Sequence, residues 1–108
     1  MTETRTAGRT GRLMVARLFA GIDDPRRMQR FMDELLTPAE LRDLVLRWRL
    51  LQRLHAGEPQ RRIADDLGVS LCKITRGSRI LKQPGSVTAA ILDEQARGRV
   101  RVEGADKL

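Results

Sequence analysis

Lys73, Thr75, Arg76, Arg79 and Lys82 crowd into ten consecutive positions of this chain. Presented by a helix, such groups suit phosphate oxygens and base edges, because guanidinium, ammonium and hydroxyl groups donate to acceptors that a nucleic-acid groove displays. The segment that must present them is 60–82, QRRIADDLGVSLCKITRGSRILK. Ile63, Ala64 and Leu67 recur at helical spacing, Gly68 follows, and Leu71, Ile74 and Leu81 resume the pattern after Ser70. Ala64 is small where a second helix must cross closely. Gly68 accommodates the positive φ of a tight interhelical turn, and Ser70 is a good N-cap. The segment therefore reads as a helix-turn-helix whose recognition helix begins near Leu71.

Charge points the same way. Residues 47–82 hold nine Lys or Arg against three acids, Glu58, Asp65 and Asp66, a surplus of six within a formal net charge of +7 for all 108 residues. Basic charge confined to one module is the footprint of a polyanion-binding surface, more than of an ordinary solvated face. Catalysis is poorly served. His55 is the one histidine and reads as a favourable helix C-terminal residue, Cys72 has no neighbouring histidine, and no glycine-rich phosphate loop is present, so the chain is not expected to be an enzyme. One cysteine cannot close an intrachain disulfide or build a zinc cluster, so no metal or resident cofactor is expected. With no apolar run of roughly 20 residues and no secretory core in MTETRTAGRTGR, the expected location is cytoplasmic, away from membranes.

The remaining sequence supplies further helices. Residues 11–22 carry Leu13, Val15, Leu18, Phe19 and Ile22. The stretch 24–36 has Asp24 as cap, Pro25 in the first turn, and a stripe of Met28, Phe31, Met32 and Leu35. Thr37-Pro38-Ala39-Glu40 pairs an N-cap threonine with proline at N1 and glutamate at N3, opening a helix that runs to about His55. That helix is apolar nearly all round, from Leu41, Leu44, Val45, Trp48 and Leu51 on one side to Leu46, Leu50 and Leu54 on another. A chain this small has little with which to surround it, so a second copy is expected to supply the cover. A last helix is expected over 86–96. The expected organisation is a flexible arm at 1–10, one all-α domain of six helices at 11–97 and a flexible tail at 98–108, with RVRV at 99–102 able to form a short extended piece.

The capped Thr37-Pro38 helix, RWR at 47–49, GEPQRRIADDLGVS at 57–70 and above all ITRGS at 74–78 make the chain resemble the bacterial Trp repressor family over about residues 13–92. The resemblance implies an intertwined homodimer with a helix-turn-helix head in each subunit, binding double-stranded operator DNA as a transcriptional repressor. L-tryptophan or a related indole acid would be the corepressor. It places Arg47 and Arg76 on either side of the indole ring, where a planar cation on an aromatic face gains roughly 0.5–2 kcal/mol. It also places Thr37 near the ligand carboxylate, backbone near Leu36 at the amine, and Gly77 where a missing side chain leaves room for the ligand. Ile80 stands where tryptophan-binding members have a serine that helps hold the amino group. An ammonium beside isoleucine without another acceptor costs on the order of 1–3 kcal/mol, which leaves open a pocket for a des-amino indole acid such as indole-3-acetate.

For DNA, the resemblance implies contacts from Gln60, Arg61, Leu71, Cys72, Thr75 and Lys82. Lys73 and Arg79 join as phosphate candidates on charge alone. Two other readings compete: a helix-turn-helix protein that binds DNA without any small ligand, and an interaction module whose basic helices dock an acidic protein.

Overall fold

The structure, a computed structural model, describes residues 7–98. Among them lie six α-helices and no strand: α1 Arg12–Ala20, α2 Pro25–Leu35, α3 Pro38–His55, α4 Gln60–Leu67, α5 Leu71–Lys82 and α6 Val87–Ala96. A wide π-type turn, Ala7–Gly11, leads into α1, so helical backbone begins inside the segment read as a flexible arm. The RVRV piece at 99–102 lies outside the described residues. The chain divides between Arg42 and Asp43 into two compact units, where the sequence reads as one helical domain. The buried apolar residues explain the division, since Leu50, Leu51, Ile63, Ile74 and Leu92 all belong to the second unit.

In the first unit, polar termini fix where helices begin. The Asp24 carboxylate accepts from the Arg26 N–H at 3.4 Å, with Pro25 at the first helical position. Thr37 Oγ1 accepts from the Glu40 N–H at 3.1 Å, while the Thr37 N–H donates to Glu40 Oε1 at 2.9 Å, completing the reciprocal cap of α3. Phe19 of α1 meets Phe31 of α2 edge to face, with ring centroids 6.0 Å apart. Leu13, Met14, Val15, Leu18 and Phe19 are nevertheless all exposed, Met14 to 64%.

The second unit is organised around its five buried residues, with Trp48, Leu54, Ala64, Leu67, Val69 and Leu81 packed against them. The end of α3 passes into α4 through Gly57 at φ +85°. Pro59 then opens α4 without a side-chain cap, its carbonyl accepting from the Ile63 N–H at 3.1 Å. Arg53 fastens this corner: its Nε donates to Glu58 at 2.7 Å and its Nη2 to Asp66 at 2.6 Å. The bonds to Glu58 and then Asp66 raise the guanidinium's pKa further above its ordinary value. Gly68 takes φ +66° at the turn, Val69 N–H donates back to Ala64, and Ser70 Oγ accepts from the Lys73 N–H at 3.3 Å to start α5. His55 lies 2.7 Å from Asp93, tying the end of α3 to α6, a link that a helix-end reading of this histidine does not contain. Leu44 and Val45 on α3 stay 43% and 41% exposed.

Candidate functional site

Helices α3 and α5 come close at a residue that lacks a side chain, Gly77. A Cβ on Gly77 would fall 2.7 Å from Leu50 Cδ2 and 3.0 Å from Leu54 Cδ1. A side chain at this position would have to displace the methyl ends of Leu50 and Leu54, so the close approach of the two helices favours glycine here. Gly77 is expected from the resemblance to leave room for a ligand, but packing against Leu50 and Leu54 is the constraint that its surroundings impose first.

Beside this crossing lies a cavity of about 70 Å³. Its walls come wholly from the second unit: one face of α3 at Asp43, Leu46, Arg47, Leu50 and Leu51, one face of α5 at Lys73, Arg76, Gly77 and Ile80, and Val69 from the turn. The spacing within each set is three or four residues, so both are single helical stripes. Leu50, Leu51 and Gly77 are buried, Leu46, Val69 and Ile80 half-buried, and the four charged residues exposed. An apolar floor thus carries a charged rim with three cations and one carboxylate. Such a site suits a flat apolar group bearing at least one negative charge.

Four of the six sequence-predicted ligand residues, Arg47, Arg76, Gly77 and Ile80, meet at this cavity. Leu36 and Thr37 belong to the first unit, where the Thr37 hydroxyl serves as the cap of α3. Lys73, read as a phosphate contact, lines the cavity as well. Asp43, Leu46, Leu50, Leu51 and Val69 were not anticipated as lining. Asp43, Leu50 and Leu51 lie three or four residues to either side of Arg47, and Leu46 lies three after Asp43 and four before Leu50, so extending the helical stripe by one turn each way is enough to find the α3 members.

All eight candidate DNA contacts, Gln60, Arg61, Leu71, Cys72, Lys73, Thr75, Arg79 and Lys82, are exposed. Leu71 keeps 53% of its surface, a large apolar side chain left open at the start of α5. Gln60 and Arg61 stand in the first turn of α4, behind the Pro59 entry.

A broader depression of about 640 Å³ lies in the first unit against Leu18, Ile22, Phe31 and the arginines of α2. It contains none of the candidate ligand residues. Among the described residues no helix is long and apolar enough to cross a membrane, and no cluster of His, Cys, Asp or Glu is arranged to hold a metal ion.

The family model for Trp repressor protein matches residues 12–96. Trp operon repressor homologs of Xylella fastidiosa strains M23, Temecula1 and 9a5c are each 34% identical to this chain over 70 residues, covering 64% of it and 76% of each relative. No solved structure is a significant match. The match spans all six helices, including the approach of α3 and α5 at Gly77 and the basic face of α5, and on it the chain belongs to the Trp repressor protein family.

Proposed function

We propose that this chain acts as a homodimeric, sequence-specific transcriptional repressor whose affinity for operator DNA is raised by L-tryptophan or a closely related indole acid. The family is one of regulators, not enzymes. The observation that carries the ligand part is the cavity that has Arg47 on one wall and Arg76 on the other, each from a different helix, over an apolar floor. An indole ring between the two guanidinium groups gains stacking on both faces, and its carboxylate has Arg76 within the same rim.

The coupling follows from which elements the ligand touches. Arg76 belongs to the recognition helix and Arg47 to the long helix beneath it, so a molecule bound to both favours one orientation of α5. If that orientation is the one that fits the major groove, ligand and DNA each tighten the other's binding by the same factor. Two heads of a dimer then address successive major grooves, about 34 Å apart in helix-turn-helix dimers, the Trp repressor being itself one of the known cases. Arg61, Arg79 and Lys82 serve phosphates, while Leu71, Cys72 and Thr75 stand nearest the base edges. The exposed apolar face of α1 and the uncovered Leu44 and Val45 of α3 support the dimer.

Half-buried Ile80 on the cavity wall favours a second reading, in which the effector is an indole acid without an amino group. Calorimetric titration of the purified chain with L-tryptophan, at fixed salt and without DNA, tests the first. Saturable binding that Arg76→Ala abolishes supports it. Binding unaffected by Arg76→Ala would place the ligand elsewhere. No binding of any indole acid would leave a ligand-independent DNA-binding protein.

A further inference from the structure

The cavity beside Gly77 is lined by one acidic side chain, Asp43, together with the cations Arg47, Lys73 and Arg76. Among the described residues no cation lies within 4.0 Å of its carboxylate, although Arg47 sits one helical turn away on α3. Asp43 is exposed at the rim, and both its oxygens remain open to a donor. Seven residues separate it from Leu50 at the helix crossing, a rise of about 10 Å along α3, with Leu46 and Arg47 of the lining on the turn between. No other side chain of the lining can hold a positive charge: Ile80 and the leucines accept nothing, and the remaining polar groups are themselves cations.

We propose that Asp43 is the specificity-determining residue that accepts the ammonium of the effector, making the cavity selective for a zwitterionic aromatic amino acid over its des-amino analogue. This rests on the reading of the cavity as an indole-acid site and decides between its two versions. The carboxylate of the ligand goes to the cations, its ring to the apolar floor, and its ammonium to Asp43. With Asp43 in that role, the amine has a charged acceptor where the side chain of Ile80 offers none.

Titration of the full chain and of its Asp43→Asn and Asp43→Glu variants with L-tryptophan and with indole-3-propionate, the same skeleton without the amine, separates the possibilities. The unaltered chain is expected to bind tryptophan about tenfold more tightly than indole-3-propionate. Asp43→Asn should weaken tryptophan by about that factor and strengthen indole-3-propionate, reversing the order, while Asp43→Glu preserves the preference. An Asp43→Asn variant that changes both ligands by one factor, or neither, would overturn the role of Asp43 and leave the indole-acid site standing, as would a preference of the unaltered chain for indole-3-propionate. If the unaltered chain bound neither, the site itself would fall and this assignment with it.

Discussion

The two units of this chain handle apolar surface in opposite ways. The second encloses Ile63 and Ile74 completely and builds helix crossings around them, whereas in the first Leu13, Met14, Val15, Leu18 and Phe19 line a helix with no buried residue among those described. A helix with five large apolar side chains in water gains little from being helical, because most helical stability in proteins comes from burying such a face. The head therefore has the means to hold its own shape, and the first unit requires something further. The proposed dimer would give the exposed face of the first unit the cover that the second unit finds within itself.

Truncation inside the head should be the most damaging change. Ile63 is 0% exposed at the heart of the second unit, and Ile63→Ala removes buried methyl groups from a site with few ways to collapse. Urea denaturation at fixed protein concentration should show a loss of about 3 kcal/mol, within the usual range of 2–5 for such truncations. A loss below about 1 kcal/mol would mean that the head is not held by this core, and the contrast between the units would fail.

The corresponding change in the first unit should act on association instead. Leu18, 49% exposed on α1, tolerates a polar group in an isolated chain but not in the centre of an apolar dimer interface. Leu18→Asp is expected to raise the dimer dissociation constant at least tenfold, a cost of about 1.4 kcal/mol or more. Analytical ultracentrifugation over a dilution series measures it. An unaltered chain that stays monomeric throughout would break the proposal that a second copy covers this face.

The helices and their ends are legible in the sequence because their signals are local. Asp24-Pro25, Thr37-Pro38 with Glu40, Gly68 and Ser70 each act within a few residues of themselves, and each marks an observed boundary. Four of the candidate ligand residues are likewise legible, through the string ITRGS and RWR. The division at Arg42 and the cavity lining are not, since they depend on which faces of α3 and α5 meet. Gly77 shows the limit well: a glycine in a helix invites a ligand-based explanation, and only the 2.7 Å approach to Leu50 reveals the packing demand. The Arg53 cluster and the His55–Asp93 pair are hidden for a related reason, as their partners lie up to 38 positions away.

That last pair gives the smallest and most discriminating test of the contrast. His55 joins α3 to α6 at 2.7 Å from Asp93, but the side chains are 26% and 54% exposed, so water competes for whatever the contact contributes. Both helices also bring buried leucines, Leu50, Leu51 and Leu92, to the same core. If apolar packing sets the geometry of the head, His55→Ala should cost only about 0.5 kcal/mol. Thermal denaturation of both proteins under one buffer condition reads this directly. A loss above about 2 kcal/mol would show that a polar tie, and not the core, keeps α6 in place, and the head would then share with the first unit a dependence on contacts beyond its own apolar interior.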